Sequence, residues 1–239
     1  MPTIETCLSP LLFPARKTSE NCVVVVIDVL RATTAFCAAF DRGFGSIIPV
    51  TGIEEARCYK EKGYLVAAER EGDKLDFADF GNSPAGFLSA DKIGAELVFT
   101  TTNGTRAIDT GKVAGELVTA SFSNLTTVVN WIAKRNGDVL ILCAGWKNTF
   151  SLEDTLCAGA IAAKLIKVGT FYASDDASGA AMTLWNHSCE NLRDVVSQSS
   201  HYQRLLSKGL NADLEYCFKQ DTSKSLPILI SGKLVNYTV

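Results

Sequence analysis

Five consecutive β-branched residues, Val23-Val24-Val25-Val26-Ile27, run straight into Asp28, with Arg31, Thr33 and Thr34 following within a turn. A strand with no polar face has to be buried on both sides, as the strands of a parallel α/β sheet are. Its carboxyl end is the edge where open α/β sheets bind their ligands. An acid, a guanidinium and two hydroxyls at the start of a helix suit a metal and an anion together, because free N–H groups and the helix dipole favour negative charge. The same residues have a plainer use, since Asp and Thr cap helices. This stretch alone supports both readings.

The pattern recurs along the chain. Short apolar runs at 3–8, 46–50, 64–69, 96–101, 116–121 and 138–143 read as strands, and the segments 31–41, 53–62 and 155–168, with two that end near Gly111 and Asn136, read as helices. This alternation predicts an α/β fold with a mostly parallel central sheet and helices on both faces. At 239 residues, with no low-complexity linker, the chain is expected to form one domain over 1–239. Its segment 177–218 should be largely helical, and 227–238 should form a terminal strand or a hairpin turning at Ser231-Gly232. The polar connection 70–84 is too long for an ordinary turn between strand and helix, so it either folds over a site or runs passively across the surface.

Composition narrows the function. A net charge of −3 with no run of lysine or arginine gives no electrostatic case for nucleic acid or a membrane surface, so a small partner is expected. Pro10 and Pro14 interrupt the apolar residues near the N-terminus, which argues against a signal peptide, and a cytoplasmic protein is expected. Eight cysteines are scattered with no Cys-x-x-Cys pair, mostly in apolar stretches, and read as reduced and structural. No Gly-x-Gly-x-x-Gly and no Gly-Lys-Ser/Thr follows a strand, which disfavours nucleotide cofactors. Self-association into a homo-oligomer stays open.

Several strand ends carry polar groups. Thr100 to Arg106 can form a backbone nest at Asn103-Gly104, with Thr105 adding a hydroxyl and Arg106 a planar fork for an oxyanion; a capped turn with a surface arginine is the alternative. Ser121 and Asn124 end another strand. Glu153 and Asp154 follow Ser151 in a first helical turn, where acids complement the dipole, yet with Asp28 they could also converge on one divalent cation, Mg2+ being the natural choice beside a phosphate. His187 and His201 read as structural, while Trp146 could wall a site.

Taken together, Asp28-Val29-Leu30-Arg31-Ala32-Thr33-Thr34, Gly81-Asn82-Ser83-Pro84, Thr101 to Ala107, Ala120-Ser121 with Asn124, and Cys143-Ala144-Gly145 followed by Glu153-Asp154 resemble the 2-phosphosulfolactate phosphatase family of coenzyme M biosynthesis. The resemblance implies a three-layer α/β/α fold and a magnesium-dependent hydrolysis of (2R)-2-phospho-3-sulfolactate to 3-sulfolactate and phosphate. On that reading Asp28, Arg31 and Arg106 are catalytic. Thr33, Thr34, Asn103, Gly104, Thr105, Ser121 and Asn124 bind the small anionic substrate, and Asp28, Glu153 and Asp154 hold Mg2+. Three alternatives remain: a phosphatase for another small phosphorylated carboxylic acid, a non-catalytic sensor of anionic metabolites, and a thiol enzyme using Cys143 or Cys157.

Overall fold

A computed structural model describes residues 1–16, 18–19, 21–90 and 93–238. Its strands are β1 (Thr3–Cys7), β2 (Val23–Ile27), β3 (Ser46–Pro49), β4 (Leu65–Arg70), β5 (Asp73–Lys74), β6 (Glu96–Thr100), β7 (Glu116–Ala120), β8 (Val139–Cys143), β9 (Tyr172–Ala173), β10 (Pro227–Ile230) and β11 (Lys233–Asn236). Its helices are α1 (Ala32–Asp41), α2 (Ile53–Glu61), α3 (Pro84–Leu88), α4 (Gly104–Gly111), α5 (Leu125–Ile132), α6 (Leu152–Val168), α7 (Asp176–Ser188), α8 (Leu192–Ser197), α9 (Ser200–Ser207) and α10 (Asn211–Cys217). The fold is α/β with one mostly parallel sheet in the order β5-β4-β6-β3-β11-β10-β7-β2-β8-β1-β9.

β2 is the centre of this arrangement. It pairs in parallel with β7 on one side and β8 on the other, Val25 lying opposite both Val118 and Ile141. All five of its residues are buried, as a run without a polar face requires. Val23, Val25 and Ile27 face one way, into a core with α5, α6 and α7. Val24 and Val26 face the other way, against Ala35 and Phe36 of α1 and Ile108 of α4. Helices thus cover both faces, giving three layers, and each buried Val or Ile contributes roughly 1.5–3 kcal/mol.

The second parallel block, β4-β6-β3, lays Ala67, Phe99 and Ile47 against the same α1 and α4 layer. Its outer face is covered by α2 through Ala56 and Tyr59. The C-terminal hairpin β10–β11 turns at Ser231-Gly232 as its sequence indicates, but it lies in the middle of the sheet and not at an edge. It joins the two blocks by one residue pair on each side, Ile228 with Val118 and Leu234 with Ile47. Two short strands, β5 and β9, had no apolar run to announce them: Asp73-Lys74 is exposed, and Tyr172-Ala173 merely extends the edge beside β1.

Among the described residues no helix is long and apolar enough to cross a membrane. All eight cysteines are free, and six of them are buried.

Candidate active site

The carboxyl ends of β2, β4, β6 and β8 meet helix α9 around one small polar cleft. Asp28, Leu30 and Arg31 come from the turn between β2 and α1; Glu69 and Gly72 from β4 and the turn after it; Asn82 from the run-in to α3. Thr101 and Asn103 precede α4, Trp146 follows β8, and His201, Arg204 and Leu205 lie on α9. The connection 70–84 thus reaches the cleft through Gly72 and Asn82, while Asp73-Lys74 between them is exposed. The free cavity is about 10 Å3, room for the centre of a single water.

Asp28 forms the floor and is 6% exposed. Local bonds hold its backbone: the Thr33 N–H and hydroxyl both donate to the Asp28 carbonyl, at 3.0 and 2.8 Å. The Ala32 N–H donates to Oδ1 at 3.3 Å, while Oδ2 has no hydrogen-bond partner among the described residues. Gly104 allows the close approach of α4, since a Cβ there would lie 2.7 Å from Asp28 Oδ2 and 2.5 Å from the Ala32 Cβ. Burial pushes the Asp28 carboxyl up to about 6; His201 and the Ala32 N–H oppose this, and Glu69 and Glu153 add to it.

Behind the floor the other acids bond to neighbours, Glu153 through one oxygen only. Asp154 accepts from the Val29 N–H at 2.9 Å and the Gly145 N–H at 3.0 Å, so it ties the end of β2 to the end of β8. Burial, then Glu153 and Asp28, holds its pKa well above the usual carboxylate range. Glu153 Oε1 lies 2.7 Å from His201 Nδ1, and its Oε2 is buried with no partner. His201 rests on the Trp146 ring with centroids 4.8 Å apart. Glu69 Oε1 accepts from the Gly72 N–H.

Two guanidiniums reach the cleft. Arg31, 3% exposed, donates from Nη1 to Asp213 Oδ2 at 2.7 Å and from Nη2 to the Gly72 carbonyl at 2.9 Å. Arg204 lies 3.8 Å over the Trp146 ring and donates from Nη1 to the Glu71 carbonyl at 2.9 Å.

Of the residues singled out in the sequence, Asp28, Arg31 and Asn103 line this cleft, with Gly104 packed against Asp28. Thr33, Thr34 and Thr105 are buried, and their hydroxyls donate to the carbonyls of Asp28, Val29 and Thr101. Arg106 is exposed and outside the lining. Ser121 and Asn124 also lie outside it: the Ser121 N–H donates to Asn124 Oδ1 at 2.9 Å, and Asn124 Nδ2 donates to the carbonyls of Thr119 and Ser225. Glu69, Asn82, His201 and Arg204 were not picked out as site residues. The usable signal was the i, i+3 spacing of His201 and Arg204, which puts an imidazole and a guanidinium on one helical face.

Magnesium can be tested against these side chains. Among the described residues no three His, Cys, Asp or Glu side chains are grouped as a ready metal cage. Magnesium needs no such cage, since it keeps several waters and uses one or two carboxylates with substrate phosphate. Asp28, with a free Oδ2, fits that role; Glu153 and Asp154 stand behind it.

The family model for 2-phosphosulpholactate phosphatase matches residues 7–232. The chain belongs to this family. It is accordingly a phosphatase, a hydrolase of phosphoric monoesters. A probable 2-phosphosulfolactate phosphatase of Thermotoga maritima is 40% identical over 213 residues, which are 88% of this chain and 90% of that one. Proteins of the same name from Caldanaerobacter subterraneus and Gloeothece citriformis are 37% and 36% identical, over 87% and 89% of this chain and 88% and 91% of theirs.

Proposed function

We propose that this phosphatase hydrolyses (2R)-2-phospho-3-sulfolactate to 3-sulfolactate and phosphate, a step of coenzyme M biosynthesis, and that it requires magnesium. The observation that carries the proposal is the floor of the cleft, where a buried carboxylate with a free oxygen sits beside the start of α4 and shares its lining with His201 and Arg204. Phosphate ester hydrolysis is accelerated mainly by positioning and by neutralising charge on the phosphoryl oxygens. Asn103 and the first N–H groups of α4 favour an anion at that floor. Arg31, through its ion pair with Asp213 and its bond to the Gly72 carbonyl, fixes the turn that closes the cleft. Magnesium held by Asp28 would draw charge from the phosphoryl oxygens and orient the attacking water. As the ester P–O bond breaks, the leaving 2-hydroxyl takes a proton, and His201, oriented by Glu153, is the group in the cleft suited to hand it over. Arg106, Ser121 and Asn124 have no part in this scheme.

Eight free thiols support a reducing compartment, so we place the protein in the cytoplasm. The test is phosphate release from authentic phosphosulfolactate and from phospholactate, first with magnesium and then with chelator. Release that favours the sulfonated ester and stops on chelation supports the proposal. Equal release from both esters would move the substrate to another phosphorylated carboxylic acid, and release in chelator would remove the metal. A rapid-quench burst of acid-labile phosphoenzyme that disappears in Asp28→Ala would make Asp28 a nucleophile; its absence favours direct attack by water.

A further inference from the structure

We propose that Arg204 recognises the non-reacting anionic group of the substrate, a carboxylate or a sulfonate, and so sets the enzyme's preference for esters that carry a second charge. This rests on the reading of the cleft as the place where the phosphate ester is hydrolysed.

The two guanidiniums of the cleft are not equivalent. Arg31 is already neutralised: Nη1 donates to Asp213, which is 2% exposed, and Nη2 donates to the Gly72 carbonyl. An arginine with both terminal nitrogens bound to protein, one in a buried ion pair, has little left to offer a ligand fork. Arg204 is held at one corner only. Its Nη1 donates to the Glu71 carbonyl, its Nε is buried with no partner, and its Nη2 makes no hydrogen bond among the described residues. The Glu71 carboxylate stays 3.7 Å away and sits nearer Lys147, at 2.9 Å. The edge formed by Nε and Nη2 is the pair of parallel donors that matches two oxygens of a carboxylate or sulfonate. Stacking 3.8 Å over Trp146 fixes the plane of that edge before any ligand arrives.

Depth separates the two ends of the substrate. Asp28 and Arg31 are 6% and 3% exposed, whereas the Arg204 side chain is 25% exposed on α9. With room for the centre of only one water, the cleft has to widen to admit a substrate; the phosphoryl group then belongs at the floor with Asp28, and the group that does not react points toward Arg204 at the rim. Binding energy drawn from this remote group raises kcat/KM for doubly charged esters and does nothing for an ester without it.

The experiment compares wild type, Arg204→Gln and Arg204→Lys with magnesium on three substrates: phosphosulfolactate, phospholactate, and phenyl phosphate, which has no second anion. The expected result for Arg204→Gln is a loss of about 10- to 100-fold in kcat/KM on the charged esters, mostly in KM, with phenyl phosphate changed by less than about threefold. Arg204→Lys, which keeps the charge and loses the fork, should fall between the two. A loss on phosphosulfolactate alone assigns the sulfonate to Arg204, and a loss on both charged esters assigns the carboxylate. Equal losses on all three substrates, or no loss on any, overturn the proposal while leaving the phosphatase reading intact. Failure of the wild type to release phosphate from any of the three would overturn that reading, and this proposal with it. Thermal melts of both variants identify a folding defect, which would depress all three substrates together and therefore counts against the proposal.

Discussion

The ends of β2 and β7 are adjacent in the sheet and look alike in sequence, yet they serve opposite purposes. Each delivers an acid, amide or hydroxyl group to the start of a helical segment. At the end of β7 the polar atoms close on one another: Ser121 and Asn124 form a capping box, the Ser121 and Ser123 hydroxyls lie 2.7 Å apart, and Asn124 reaches two carbonyls. At the end of β2 the hydroxyls of Thr33 and Thr34 are satisfied in the same way, but Asp28 keeps one oxygen free and carries a pKa raised to about 6. A polar group at a strand end marks chemistry when its bonding capacity is left over, and marks structure when neighbours use it up.

The largest effect on stability expected from this contrast concerns Asp28. A folded-state pKa above the unfolded value means that the protonated Asp28 is favoured, so its contribution is fully present below about pH 4 and lost as pH rises through about 6. In chelator, Asp28→Asn should match wild type at pH 4 and exceed it by roughly 3 kcal/mol at pH 8 in denaturant melts. A difference that is independent of pH would sever the link between burial and the site. Magnesium should narrow the gap at pH 8 by stabilising wild type alone.

Gly104→Ala comes next. The added methyl meets Ala32 and Asp28 at 2.5 and 2.7 Å, so α1 or the Asp28 side chain has to shift. A displacement of about an ångström at a reacting group lowers kcat by about 100-fold, which steady-state kinetics would show; unchanged kcat would mean that Asp28 does not need this placement.

At the satisfied end, Asn124→Ala leaves the Ser121 N–H and two carbonyls without a partner. It should destabilise the fold by about 1–3 kcal/mol with kcat/KM unchanged, whereas a selective loss of activity at full stability would return Asn124 to the substrate. The smallest change is expected from Cys143→Ala. Burial holds that thiol well above its usual pKa, which disfavours the thiolate a nucleophile needs, and activity per folded molecule should be retained.

Much of this architecture was legible in the chain. The run Val23–Ile27 has no polar face, and such a strand fits only where helices cover both sides of a sheet. Strand and helix spacing carried the rest, with edges displaced by up to about four residues, as where the helix expected to end near Asn136 stops at Ile132. The central place of β10–β11 was not legible, because hairpin periodicity fixes a turn and says nothing of which strands accept it. The site was half legible. Asp28, Arg31 and Asn103 reach the cleft from local motifs at strand ends, whereas His201 and Arg204, and Asp213 through Arg31, join it from a helical segment about 100 residues or more away in sequence, and no spacing rule connects them. Ser121-x-x-Asn124 was ambiguous, since its spacing suits a capping box as well as an anion site.

The most direct test is the phosphate-release rate of Asp28→Asn with magnesium, measured on protein shown by its melt to be folded. A fall in kcat of about 1,000-fold or more is predicted, since the variant keeps the shape and the Ala32 hydrogen bond and removes only the charge at the floor of the cleft. Activity within about tenfold of wild type would contradict the account and place the chemistry elsewhere in the molecule.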